Sequence, residues 1–182
     1  YILALVVLGF SLAGLFSWVV TLFLPDSYTE VQWIVVSCIG YPLLYTLSES
    51  TVVGIGISKR TSYSMLAAVI AFLINLAGNW FLIPRYGAAG AAVSTCVSFW
   101  AFFLLRTEFS IYLWKPMPRF LLYAYTTLSV AGATTFTLWG EEIGVWMSIF
   151  WLSLLISWLI AFKKEISTAS AFIFKRRLIK GA

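Results

Sequence analysis

The stretch NLAGNWFLIPRYGAAGAAVST, residues 75–95, sets two amides four positions apart in an apolar run, meets Pro84 and Gly87, and restarts on small residues. The apolar runs around it, residues 63–83 and 88–105, are each close to the ~20 residues a membrane-crossing helix needs. Proline cannot donate to the preceding turn, and glycine adopts backbone angles closed to other residues. The stretch therefore reads as a tight hairpin in which Pro84 ends the first helix and Gly87 makes the turn. Gly90, Ala91 and Ala92 let the second helix pack close. Asn75 and Asn79 share one face of the first helix, which leaves an amide pair where hydrocarbon is expected.

Composition explains why hydrocarbon is expected. The 182-residue chain is 62% hydrophobic and 10% charged, with mean hydropathy +0.95. A soluble domain has about a quarter of its residues charged, so lipid must solvate much of this surface. Strands are excluded, because no segment alternates in the short pattern of a membrane barrel. The chain starts at Tyr1 without a charged leader or a small-residue cleavage site, and it reads as a piece of a longer chain. Cys38 and Cys96 lie in separate apolar runs, and there is no histidine. Nothing in that set predicts a disulfide framework, a metal site or a cofactor.

The expected fold is all-α, a polytopic bundle of six membrane helices at about residues 2–24, 31–57, 63–83, 88–105, 120–139 and 144–162. Residues 163–182 form a basic tail. Eleven of the 12 Lys and Arg residues fall in the second and fourth loops and the tail, and only Arg85 falls on the other side. Cytoplasmic loops are rich in Lys and Arg, so those loops and the carboxyl terminus read as cytoplasmic. The tail mixes basic residues with Ile166, Phe172, Ile173 and Phe174. It reads as a juxtamembrane segment on anionic lipid rather than a nucleic-acid patch.

Polar groups inside a membrane usually face a bundle interior or a wet cavity. Glu49 is the one acid within a predicted span, and Tyr41, Tyr45 and Ser48 join it in a polar stripe. Pro42 is expected to kink that helix. A kink beside an ionisable group fits a mid-membrane transport or ion-coupling site. Alternatively, Glu49 pairs with Lys59 or Arg60, about 15 Å along the helix. Asn75 and Asn79 admit two compatible readings as well, glue between helices or the lining of a cavity for a hydroxyl-rich ligand. Small-residue stripes at Ala91/Ser94/Ser98/Ala101, at Ala124/Thr127/Ala131/Thr134/Thr135 and at Ser153/Ser157/Ala161 read as packing faces. The run GIGISKR, residues 54–60, lacks the spacing and strand of a phosphate loop. No catalytic constellation is found, so the chain does not read as an enzyme.

With spans and charges placed, residues 54–100 (GIGISKRTSYSMLAAVIAFLINLAGNWFLIPRYGAAGAAVSTCVSFW) resemble the carboxyl-terminal part of Wzx-type polysaccharide and O-antigen flippases, a resemblance that covers about residues 30–160. These belong to the multidrug/oligosaccharidyl-lipid/polysaccharide exporter superfamily. The pattern carrying the resemblance is Asn75, Asn79, Leu82, Ile83, Pro84, Arg85, Gly87, Gly90, Ala91, Ala92 and Thr95. The resemblance implies a bacterial inner-membrane protein of about twelve to fourteen spans, in two lobes around a central cavity. This chain would supply the last six spans, and the amino-terminal lobe would be its partner. Such proteins move an undecaprenyl-pyrophosphate-linked oligosaccharide to the outer leaflet for surface polysaccharide biosynthesis, with protons or sodium ions as the suspected drive. A cation-coupled multidrug antiporter of the same superfamily is the alternative. A pyrophosphate cavity should be cationic, yet no Lys or Arg lies mid-span. Either the other lobe supplies the charge, or Arg85 and Arg106 reach in from the span ends.

Overall fold

A computed structural model describes residues 1–163, and all its regular elements are helices. They are α1 (Ile2–Leu15), α2 (Val31–Thr51), α3 (Val53–Ile57), α4 (Ser62–Leu113) and α5 (Phe120–Ala161), with 3-10 turns at Ser17–Leu22 and Asp26–Tyr28. The helices α2, α4 and α5 are each long and apolar enough to cross a membrane. Most of the expected tail, residues 164–182, lies outside the described residues.

The two longest helices double back. In α4, Gly87 alone leaves helical angles, at φ 53° and ψ −127°. Its arms, residues 62–86 and 88–113, run antiparallel, because Tyr63 packs on Phe109 while Asn75 meets Ser98. Gly90 permits that approach, since a Cβ there would overlap the backbone of Leu82. In α5, Trp139 and Ile143 leave helical angles. Its arms then meet through Gly132 against Phe150 and Trp151, and through the Tyr125–Phe162 ring contact. Both reversals fall where the sequence places short loops.

The structure corrects several boundaries. Pro84 does not end its helix. The helix continues through it, leaving the Trp80 carbonyl without its usual donor, and reverses only at Gly87, whose angles a residue with a Cβ avoids. The first span is α-helical only to Leu15 and continues as the tighter 3-10 turn. The second span divides at Val52. There Ser48, Ser50 and Thr51 turn their hydroxyls back onto Tyr45, Leu47 and Ser48 carbonyls, competing with the helix ladder. Pro42 lies inside α2, which continues on both sides of it, and Thr46 Oγ1 donates to the Pro42 carbonyl. The fourth span runs to Leu113 rather than residue 105, so Arg106 belongs to a helix and not to a loop.

Packing centres on α2. Its Ser37 hydroxyl meets Thr137 Oγ1 at 2.6 Å and donates to the Ala133 carbonyl of the first α5 arm. Its Gly40 sits under Cys96 of α4. Its far end joins α4 through Thr51–Thr107 hydroxyls at 2.8 Å, and the Gly54 amide of α3 donates to Ser110 Oγ at 2.8 Å. The second α5 arm covers α1, with Trp151 over Gly14 and Trp158 Nε1 donating to the Ala4 carbonyl at 2.7 Å. In lipid, close approach and such interhelical bonds replace the hydrophobic effect as the adhesive. The first α4 arm is the outlier: between residues 62 and 86 only Ala67 is buried.

Candidate functional site

That outlying arm leaves a groove of about 330 Å³ between itself, α2 and the second α4 arm. Ala68, Ala71 and Phe72 form one wall, Thr95, Ser98, Phe99 and Phe102 another, and Tyr45 closes it from α2, with Asn75 at the inner edge. The helical period explains the convergence: residues 68, 71, 72 and 75 share one face of the first arm, and 95, 98, 99 and 102 share one face of the second.

Asn75 stitches the two arms together. Its Nδ2 faces Thr95 Oγ1 and Ser98 Oγ at 3.3 Å each and Ser94 Oγ at 3.5 Å. Ser94 Oγ in turn donates to the Asn75 carbonyl at 2.9 Å. Asn79 Nδ2 donates to Asn75 Oδ1 at 3.0 Å, while Asn79 Oδ1 is buried without a partner among the described residues. The two readings of the amide pair thus meet in one residue, because Asn75 both bridges the arms and lines the groove.

At the groove's far end the chain places its buried cation. Arg106 is 8% exposed. Its Nη1 donates to Glu49 at 2.7 Å and to Ser48 Oγ at 2.8 Å. Its guanidinium lies 4.9 Å from the centre of the Phe102 ring, which stacks parallel to Tyr45. Burying a guanidinium is costly unless a partner neutralises it, and Glu49 supplies the charge from the neighbouring helix. The side chain of Glu49 stays 47% exposed, so one face of the pair remains open. Arg106 Nε is buried and has no partner among the described residues.

The expected partners of Glu49, Lys59 and Arg60, are replaced by Arg106. The apolar run of the fourth span stops at residue 105, which would leave Arg106 in a loop, but the helix carries it. The signal that it continues inward is the hydroxyl pair Thr107 and Ser110, buried against α2 and α3. Ser48 and Glu49 lie outside the lining of this groove, on Arg106, whereas Tyr45, Asn75 and Thr95 line it. Asn79 adjoins it through Asn75. Pro84, Arg85, Gly87 and Gly90 lie at the α4 reversal, away from it. A second, more polar recess of about 300 Å³ lies at that reversal, between Glu30, Trp33, Tyr86 and Glu141. In the stripe Ala124, Thr127, Ala131, Thr134 and Thr135, the first three residues are exposed, along a groove of their own, and the last two are half-buried. Among the described residues, no three of His, Cys, Asp or Glu converge as a metal site would require. Comparison of the chain with protein-family models, with curated proteins and with solved structures finds no match.

Proposed function

We propose that the chain is the carboxyl-terminal lobe of a lipid-linked oligosaccharide flippase. In this reading each reversal, at Gly87 and at 139–143, is an external turn, and the chain crosses the bacterial inner membrane six times. The full protein carries an undecaprenyl-pyrophosphate-linked repeat unit from the inner to the outer leaflet by alternating access. The observation that carries the proposal is the groove with the Arg106–Glu49 pair at its end, on a bundle otherwise coated in apolar side chains. The amide of Asn75 and the hydroxyls of Thr95, Ser98 and Tyr45 match the donors and acceptors of a glycan. The aromatic rings offer faces for its C–H surfaces. Arg106 is the nearest phosphate-type recognition group, and Glu49 is the group that protons or sodium ions would engage. The antiporter reading needs acids for cation coupling, and it finds only the same Glu49, with no acid among the residues that line the groove.

The decisive experiment uses a strain lacking the full-length gene. Its lipid-linked repeat is probed in right-side-out vesicles with a membrane-impermeant lectin or oxidant. Accumulation on the inner leaflet, with surface polysaccharide lost, is the expected result. Undiminished glycan on the outer leaflet would overturn the proposal.

A further inference from the structure

The Glu49–Arg106 pair is lopsided. The Arg106 side chain is 10% exposed and that of Glu49 47%. The guanidinium is fixed in place: the Phe102 ring lies 4.9 Å from it, and Ser48 Oγ, which donates to the Tyr45 carbonyl, accepts from its Nη1. The carboxylate meets it through Oε1, on that same Nη1 at 2.7 Å. A guanidinium has five N–H donors in a planar fork that suits two oxygens at once. Here one nitrogen carries both contacts, and Nε is buried with no partner among the described residues. One carboxylate oxygen therefore neutralises the charge without filling the fork.

The pair also continues the groove by one helical turn. Tyr45 and Phe102 line the groove from facing helices, with parallel rings. Glu49 follows Tyr45 by four residues on α2, and Arg106 follows Phe102 by four on α4. Acid and cation thus each extend the helix face that lines the groove. The Thr51–Thr107 contact comes next, toward the turn at residues 58–61. The pair therefore sits at the end of the groove that the Lys and Arg distribution assigns to the cytoplasmic side.

We propose that Glu49 is an internal stand-in for the ligand's anionic head, and that a phosphoryl oxyanion displaces it from Arg106. That the anion is a lipid-linked pyrophosphate rests on the flippase reading above; the exchange of partners rests on the pair alone. A phosphoryl group brings several oxygens, so it replaces the contact to Nη1 and fills the fork that one carboxylate oxygen leaves open. The exchange strands no buried charge, because the guanidinium trades one anion for another. Glu49 is the partner that moves, since its half-exposed carboxylate turns outward without being desolvated. Moving Arg106 instead would pull a packed guanidinium off Phe102 and Ser48. Without ligand, Glu49 keeps the buried cation neutral. With ligand, it competes for the same nitrogen, which limits affinity and favours release. A neutral glycan or a cationic drug has nothing to exchange for the carboxylate.

The test measures binding to the full-length protein in detergent, with undecaprenyl pyrophosphate, phosphatidylglycerol and inorganic pyrophosphate as separate probes. The lipids are read by native mass spectrometry and the inorganic ion by calorimetry. Glu49→Gln removes the competing charge and is expected to tighten undecaprenyl pyrophosphate at least tenfold. Glu49→Asp holds Arg106 less well through its shorter side chain and should tighten binding by a smaller factor; it carries the test alone should the Gln variant fail to fold. Adding Arg106→Gln should erase the gain. A purely structural ion pair predicts the opposite pattern, so unchanged or weaker binding in the Glu49 variants would overturn the proposal. A gain that survives the loss of Arg106 would overturn it too. A gain for inorganic pyrophosphate or phosphatidylglycerol, with none for undecaprenyl pyrophosphate, would support the exchange and sink the flippase reading instead.

Discussion

Replacing Gly87 isolates the backbone cost of reversing α4. A Cβ added there would find nothing within 4 Å, so substitution introduces no clash. What remains is the conformation itself, φ 53° and ψ −127°, a region in which a residue other than glycine costs about 1–3 kcal/mol. At roughly 2–4 °C per kcal/mol for a chain of this length, Gly87→Ala should lower the thermal midpoint by ~2–12 °C. Gly87→Val, β-branched, should sit at the upper end and reduce the amount of folded protein. Gly87→Asn is the sharper test. Asparagine tolerates the ordinary left-handed region, where ψ is positive, but not this ψ, and it should lose as much as alanine. Gly90→Ala acts by a different route, because its Cβ would come within 2.5 Å of the Leu82 carbonyl oxygen and force the arms apart. Midpoints are read by size-exclusion chromatography of heated, detergent-solubilised protein. An unchanged midpoint for Gly87→Ala, or full recovery with Asn, would refute the reasoning.

Other outcomes follow from the buried cation and the paired arms. Glu49→Leu strands the Arg106 guanidinium and should cost about 3 kcal/mol, the low end for a broken buried pair because Glu49 is half exposed. Arg106→Leu leaves a carboxylate that can reach water and should cost less, so the reverse order in thermal midpoint would sink the argument. Glu49→Gln should impair glycan export and Glu49→Asp should do so more mildly. Export at the wild-type rate by both variants would remove Glu49 from the path. Asn75→Leu should cost about 1–2 kcal/mol through the lost bridges between the α4 arms, with little further loss on adding Ser98→Ala; fully additive midpoint losses would deny the coupling. Single cysteines at Lys59 and Pro116 should react with an impermeant maleimide from one side of the membrane, and those at Tyr86 and Glu142 from the other. Any other grouping contradicts the six crossings.

The sequence carried the hairpin and hid the pair. Gly87 and the polar Gly140–Glu142 segment are breaks that composition exposes, and both long helices reverse there. The amide face of Asn75 was legible because helical spacing alone aligns it with Asn79. The destination of that face was not, since Ser94, Thr95 and Ser98 reach it only once the chain turns at a specific residue. Arg106 was misplaced for a physical reason. A hydropathy run ends at the first charge, whereas a helix ends where its backbone bonds end, and a partner across the bundle lets it carry a cation inward. The short α1 was equally unreadable, because the 3-10 turn at Ser17–Leu22 has the same apolar composition as the helix before it.

The isolation of the first α4 arm bears on how the protein enters the membrane. Alone in lipid, residues 62–86 would present two carboxamides with no partner beyond each other, and hydrocarbon offers none. Ser94, Thr95 and Ser98 arrive only about twenty residues later in synthesis. The arm is therefore costly as a single passenger and acceptable as half of a pair, which favours insertion of the whole hairpin in one step. Lengthening the connection at Gly87 should then slow membrane integration even where the finished bundle tolerates the extra residues.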